Sequence, residues 1–452
     1  MLDLEIENDP YKVKADPSKD FFISMLVKDI TLRDAIGDLV DNSVDAIKSK
    51  AAGTDSLKEY LIKITLTKDS FQIRDNGSGM EADVARKYAF NFGKATDRLL
   101  TKKSIGQFGI GMKRAFFKLG GHIHIKSVAP TSQFELTIDV NQWQKDTSAN
   151  WRFEFDHGTL KEQLKNDKNQ TGLNVLITQL SDDSNISFDD KNFVDRLQKE
   201  IALEHMLNIN KGLSIEINDI KLTSNQITLV NDVNIKPTYW EKVGADQSVR
   251  VIAGISAKDA DEGGWYIFCN DRLIVAKDQT AQTVWTGSKG DGVPKYHAQF
   301  HRFRGYAFFE ANDSSKLPWN TTKTGMDMDS PYYKEVRAKM INMTRQVMDL
   351  LDKLKEEKEK GNPEDSQTLN KEVQKSLNSP MTVLEVLKET VHLNNSFRYP
   401  VALFNPIKKS KAVKITYQVS PERFEAVKQK LAKSDPNEVG LSTFDYYYKN
   451  EI

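Results

Sequence analysis

In IGQFGIGMKRAFFKLGG, residues 105–121, three glycines fall within six positions and an amphipathic segment follows. Gly106, Gly109 and Gly111 precede Met112, Ala115, Phe116 and Leu119, which recur at helical spacing. Glycine is the poorest ordinary helix former, so its concentration at a helix start needs a reason. One reason is anion binding, because bare backbone N–H groups at a helix start cradle phosphate. The other is a loop that needs positive φ, and this stretch alone leaves both open. Further polar groups precede it. In DLVDNSVDA, residues 38–46, Asp38, Asn42 and Asp45 stand at i, i+4 and i+7 and share one helical stripe. Most such stripes are a solvated face. In RDNGSGM, residues 74–80, Asp75 is followed by Gly77, Gly79 and Met80, a pattern a plain turn also satisfies. NFGKATD, residues 91–97, adds Asn91, Gly93 and Lys94.

The elements that position these groups follow from periodicity. Residues 1–20 read as an arm. A helix over about Thr31–Lys50 has Leu32, Ile36, Leu39, Ser43 and Ile47 as its buried stripe. EYLIKITLTKDSFQIRDNGSGM gives two strands joined by a tight turn, and VARKYAFNFGKATDRLLTKKS a helix followed by a basic loop suited to a lid. HIHIKSVA, QFELTIDV, WRFEFD and GLNVLITQL complete one sheet, so an α+β domain spans residues 21–182. A second domain, residues 183–330, opens with a helix and continues with strands such as RVIAGISAK, GWYIFCNDRLIVAK and HRFRGYAFFEAN. Residues 331–360 form a charged helix with one apolar seam: Val336, Met340, Met343, Val347, Leu350, Leu351 and Leu354. Residues 361–380 read as a linker and residues 381–452 as a small C-terminal α/β module, whose clearest helix starts at Ser420 and Pro421.

Bulk composition narrows the class. The 452 residues carry 64 basic and 64 acidic side chains, so no global field points to nucleic acid or an anionic membrane. One cysteine, Cys269, excludes a disulfide framework and reads as a small buried hydrophobe. The N-terminus lacks a signal-peptide core and no apolar run reaches membrane-span length, so a cytoplasmic protein without membrane association is expected. No G-x-x-x-x-G-K-[ST] occurs, since Gly93-Lys94 is followed by alanine, which excludes a P-loop NTPase.

Taken in order, the Asp38/Asn42 helix, the Asp75-x-Gly77-x-Gly79 loop and the Gly106/Gly109/Gly111 loop resemble the nucleotide-binding boxes of the GHKL (Bergerat-fold) ATPases, over roughly residues 20–345. AIGDLVDNSVDA and IGQFGIGMKRAFFKLG look most like MORC-like and MutL-like members. The resemblance implies a Bergerat-fold α/β sandwich followed by a transducer domain resembling domain 2 of ribosomal protein S5, with ATP and Mg²⁺ as cofactors. It implies that Asp38 is the general base, Asn42 the Mg²⁺ ligand and Asp75 the acceptor for the adenine amine. Asp45, Gly77, Gly79, Met80, Asn91, Gly93 and Lys94 would line the nucleotide. Gly106, Gln107, Phe108, Gly109, Ile110, Gly111, Met112 and Lys113 would surround the phosphates, with Lys102, Lys103 and Arg114 adding positive charge. LPWNTTKTGMD, residues 317–327, resembles the transducer loop whose lysine reaches the γ-phosphate, which makes Lys323 the second catalytic group.

Two positions depart from the family pattern. Its general base is usually glutamate, whereas Asp38 is shorter by one C–C bond, roughly 1.5 Å, which implies a closer helix, a bridging water or slow turnover. Its Gly-Thr pair is here Gly172-Leu173, with Thr171 one residue early. The resemblance further implies an ATP-dependent homodimer that works as a clamp. DNA is a candidate substrate in a genome-maintenance or phage-defence setting. Lys408, Lys409, Lys411 and Lys414 read equally as a phosphate-contacting strip or as a solvated strand edge protected by lysines. A protein partner of the C-terminal module, a chaperone-like remodelling ATPase and a slow ATP sensor are the alternatives.

Overall fold

The computed structural model describes residues 17–52, 54, 56–92, 103–106, 110–146, 151–288, 290–320, 322–360, 368–389, 395–404 and 414–451. Thr31 starts the first long helix, Leu32–Lys50. Its hydroxyl accepts the Asp34 N–H, and Lys48 and Lys50 sit in the last turn where they complement the helix dipole. The expected stripe of Leu32, Ile36, Leu39, Ser43 and Ile47 is buried, and so are Asp38 and Asp41. A preceding helix, Lys19–Lys28, starts inside the segment assigned to the arm, capped by Ser18. Residues 1–16 lie outside the described residues.

The first sheet has seven strands: β1 (Leu61–Leu66), β2 (Ser70–Asp75), β3 (Gly120–Val128), β4 (Gln133–Asp139), β5 (Gly172–Leu180), β6 (Ser214–Ile217) and β7 (Ile220–Lys221). Their spatial order is β4-β3-β5-β2-β1-β6-β7, and only the β1/β6 pair is parallel. Alternate residues such as Ile62, Ile64, Leu66, Phe71 and Ile73 point into one core beneath the Leu32–Lys50 and Gly111–Leu119 helices. Two expectations need correction. The domain does not stop near residue 182, because β6 and β7 extend its sheet beyond the helix Lys191–Glu204. WRFEFD is not a strand. Its alternation reflects ring packing, with Trp151 and Phe153 on Trp143 and Phe155 on Phe134, and Phe155 makes a single bridge to Leu136.

After the short β8 (Thr228–Leu229), the second sheet is ordered β12-β11-β13-β10-β9, with β9 (Thr238–Val243), β10 (Gln247–Ile255), β11 (Gly264–Cys269), β12 (Arg272–Asp278) and β13 (Phe303–Ala311). Every residue of β11 is buried, since both faces are covered. Trp265 Nε1 donates to Thr344 Oγ1 of the helix Pro331–Lys360, whose Val336/Met340/Val347 seam lies on that face. Tyr266 and Phe268 point the other way, toward Met206, Leu207, Val383 and Val386. Cys269 is buried, and burial pushes its thiol far above the usual range.

Residues 1–405 form one unit and residues 406–452 another, which moves the boundary drawn at 381. Met381–Thr382 pairs with Thr228–Leu229, and Asn395 bridges Tyr239. The expected linker also holds a helix, Leu369–Ser376, because the Glu357 carboxylate accepts the Leu369 and Asn370 N–H groups while Leu369 and Val373 are buried. The described residues of the C-terminal unit form two helices, Pro421–Leu431 and Pro436–Glu451, and no strand; the strand within the expected 381–452 module, Met381–Thr382, belongs to the first unit. Asp435 accepts the Asn437 N–H and Pro436 follows it, a start signal that outweighs the strand preference of the tyrosines behind it. Lys408, Lys409 and Lys411 lie outside the described residues. Among the described residues no helix is long and apolar enough to cross a membrane.

Candidate functional site

Phe71, Ile73 and Asp75 share the inward face of β2, so the strand period that builds the core also sinks a carboxylate at its end. Asp75 Oδ2 accepts the Ser43 hydroxyl at 2.9 Å, and Oδ1 accepts the Gly77 N–H at 2.9 Å. Burial pushes this carboxyl up to about 6, against the pull of those hydrogen bonds. Thr171, although one position early in sequence, donates its hydroxyl to the Gly77 carbonyl at 2.7 Å and so braces the same loop. Ser127 donates to the Met80 carbonyl and accepts its N–H. Gly79 has φ +67°, and a Cβ there would stand 2.1 Å from the Val128 carbonyl oxygen. Neither the backbone region nor the space admits a side chain. Gly79→Ala should therefore cost about 2–3 kcal/mol in urea unfolding. A loss below measurement error would mean that the loop relaxes freely.

The side expected to meet phosphate is arranged differently from the sequence expectation. Gly111 does begin a helix, Gly111–Leu119, with Ile110 before it and Met112 packed on the core. Gly106 does not offer its N–H to solvent. Asp45 takes it at 3.0 Å and also takes the Ile105 N–H at 2.8 Å, and desolvation under the loop pushes the Asp45 carboxyl up to about 6. Lys113 is 2% exposed and turns away from the phosphate side, donating to the carbonyls of Ala89 and Asn91. Asn91 is exposed and its amide bonds the Lys87 carbonyl, closing its own turn. Gly93, Lys94, Gln107, Phe108 and Gly109 lie outside the described residues. The short loop is also fastened to the second sheet. Asn270 donates to the Ser104 carbonyl at 2.9 Å, the Lys103 N–H to the Asn312 carbonyl at 3.2 Å, and Ser314 to the Gly106 carbonyl at 3.4 Å.

Beside Gly111, around Asp38 and Asp41, lies a buried ionic cluster. Lys323 Nζ stands 3.0 Å from Asp38 Oδ1 and 2.6 Å from Asp41 Oδ2. Arg114 reaches Asp38 Oδ2 at 2.8 Å, and Arg272 Nε reaches Asp41 Oδ1 at 2.8 Å. Arg272 also pairs with Glu204 and donates to the Lys323 carbonyl, while His205 Nε2 lies 3.4 Å from Asp41. Burial alone would raise the Asp41 carboxyl, but Arg272 and Lys323 overrule it and hold it far below the usual carboxylate range. Burial likewise works against the Lys323 ammonium, and Asp41 and Asp38 hold it charged. Lys323 has φ +58°, a left-handed conformation that costs a non-glycine residue about 1–2 kcal/mol. Its N–H on Asn320 and its carbonyl under Arg272 fix it there.

Asn42 lies one turn beyond Asp38, facing Gly106. Its Nδ2 is buried and finds no partner among the described residues. An unpartnered amide N–H suits an acceptor such as a phosphate oxygen, and the Oδ1 of the same amide, on the Gly106 side, is the atom that would hold a hard cation. The cluster residues Asp41, Arg272, Glu204 and His205 escaped the sequence reading. Asp41 sits inside DLVDN, and Arg272 interrupts the apolar run around CNDRLIVA. A lone arginine in a buried strand is the available signal that a buried anion faces it.

Residues 30–171 match the family model described as histidine kinase-, DNA gyrase B-, and HSP90-like ATPase. No curated protein matches the chain. The matched span contains Asp38, Asn42, Asp75 and the glycines Gly77, Gly79, Gly106 and Gly111, and ends at Thr171, which braces the Gly77 loop. Residues 30–171 are therefore a domain of the histidine kinase-, DNA gyrase B- and HSP90-like ATPase family.

Proposed function

We propose that this chain binds ATP with Mg²⁺ between the Asp75 loop and the Gly111–Leu119 helix and hydrolyses it, and that the second sheet reads nucleotide occupancy through Lys323. The observation that carries this reading is the seating of Lys323. It comes from a loop 285 residues away from Asp38 in sequence, yet is buried against Asp38 and Asp41 on the turn that leads to Asn42. A buried ammonium beside an anion site can stabilise charge on a transferring phosphoryl group. Asp75 would accept the adenine amine, the first turn of the Gly111 helix would meet the phosphates, and Asn42 would hold Mg²⁺, which shields phosphate charge. Asp38 would take a proton from the attacking water.

ATP-driven pairing of two protomers into a clamp, with DNA as its substrate, extends the same reading. It is tested by the ATPase rate per protomer against protein concentration, with and without duplex DNA, for the native chain and Asp38→Asn. A rate that rises with concentration, rises further with DNA and collapses in Asp38→Asn is expected. One observation favours slow turnover: each Asp38 oxygen already accepts from a cation. Tight ATP binding with negligible turnover in both proteins would convert the clamp into a sensor.

Asp75 supplies a pH test. Its carboxyl is raised from 3.8 to about 6, so the folded protein bears an ionisation cost that is absent below pH 4 and complete above pH 6. The two-unit shift corresponds to about 3 kcal/mol. Asp75→Asn should relieve part of it, raising nucleotide-free stability by about 1–2 kcal/mol at pH 8 and by nothing at pH 4. Adenine recognition by the ionised carboxylate sets the opposite trend for binding. ATP affinity of the native protein should fall about tenfold between pH 8 and pH 5, and Asp75→Asn should bind weakly throughout. Calorimetric titration and thermal melts check both, and a flat affinity profile would remove Asp75 from adenine recognition.

A further inference from the structure

Arg114, so far only a positive charge expected near the phosphates, is the second cation on Asp38 and has no step assigned to it. It stands in the first turn of the Gly111–Leu119 helix, where its N–H closes on the Ile110 carbonyl at 2.9 Å. Its side chain, 18% exposed, reaches across to Asp38 Oδ2 at 2.8 Å. Its Nε–H is buried and finds no acceptor among the described residues. A desolvated guanidinium with a spare donor is held short of its capacity. Gly111, the first residue of that helix, abuts the same carboxylate, since a Cβ there would stand 3.0 Å from Asp38 Oδ2. Lys323 approaches the other oxygen at 3.0 Å. One carboxylate thus sits inside a helix start, a guanidinium fork and an ammonium, an arrangement with more donors than Asp38 can use.

We infer that Arg114 is the residue that distinguishes a nucleoside triphosphate from a diphosphate at this site. In the empty protein it is parked on Asp38, and the terminal phosphate takes it over. The inference rests on the reading that the cleft binds ATP. A planar fork with five donors matches phosphate oxygens better than it matches one carboxylate oxygen, and the spare Nε–H gains an acceptor in the exchange. The same exchange frees Asp38 Oδ2 from its cation, so the group that must accept a proton from water is released only when a third phosphate is present. A diphosphate, lacking that group, leaves Arg114 on Asp38 and the carboxylate occupied. Arg114 in this sense positions Asp38 in one state and contacts the substrate in the other.

The test compares Mg-ATP and Mg-ADP affinities by calorimetry for the full native chain, Arg114→Gln and Arg114→Lys, with turnover measured alongside. The native chain should prefer ATP. Arg114→Gln should weaken ATP binding tenfold or more and leave ADP within twofold, so that the preference disappears. Arg114→Lys, which keeps the charge and the pairing with Asp38 but loses the fork, should keep part of the preference. It stands in for the glutamine variant should that variant fail to fold. Equal weakening of both nucleotides, a change in neither, or a native chain without preference would overturn the inference and leave the ATP site intact. A native chain that binds neither nucleotide would overturn the ATP reading itself.

Discussion

Lys323→Met should lower the ATPase rate by about 10²–10³-fold while Mg-ATP affinity changes by only a few fold. The methionine keeps the length of the side chain and removes the charge that faces Asp38 and Asp41. The adenine contacts proposed on the Asp75 side are made by other residues of the first domain and are not altered by the substitution, so the loss is expected in kcat and not in binding. Lys323→Arg is expected to restore little. Lys323 is 7% exposed, with its ammonium on two carboxylates beside Arg272, so a larger planar fork would have to displace those neighbours. Steady-state rates with a parallel binding titration make the distinction. Undiminished turnover in Lys323→Met would reduce the lysine to a structural tie between the two sheets.

Asp41→Ala should cost about 3–5 kcal/mol of folding stability, the largest effect expected from a single position. Asp41 is fully buried, and the two cations on it, Arg272 and Lys323, are 5% and 7% exposed. Removing the anion leaves both without their shared partner in a site that water reaches poorly. Glu204 still faces Arg272 and Asp38 still faces Lys323, which keeps the loss finite. Asp41→Asn should cost less, since the amide oxygen can still accept from one cation. Urea unfolding at pH 7.5 measures both variants. An alanine variant within 1 kcal/mol of the native chain would mean that the cluster relaxes or hydrates without penalty. Because the cluster joins the Leu32–Lys50 helix to β12, its loss should also uncouple the second sheet from the nucleotide cleft.

Local pattern carried much of the fold. The Leu32–Lys50 helix, the β1/β2 hairpin, β3 to β5 and the apolar seam of Pro331–Lys360 each follow from a period of 3.6 or 2 with a start signal beside it. Domain limits did not follow. β6 pairs in parallel with β1 from 153 residues downstream, Ser214 opposite Leu61, and Met381–Thr382 pairs with Thr228–Leu229. Such pairings depend on which sheet edge is free, and that is not a property of the paired segment.

The site divides along the same line. Side chains on one element were legible. Asp38 and Asn42 share a helix face, Asp75 ends an alternating strand, and Gly79 precedes a close backbone contact. The partners of those groups come from elsewhere. The resemblance implied that Gly106 and Lys113 meet the phosphates, but Asp45 claims the first and the Ala89 and Asn91 carbonyls claim the second. A buried donor must be satisfied by whichever acceptor the packing brings nearest. The sequence by itself determined which residue types stand on the cleft and the order of the boxes that hold them. Only the tertiary structure decided that Asp38 is held between Arg114 and Lys323 and that Asp41 joins Lys323 to Arg272. The physical reason is that a charge removed from water is governed by its nearest opposite charges, and here those arrive from chain segments up to 285 residues away.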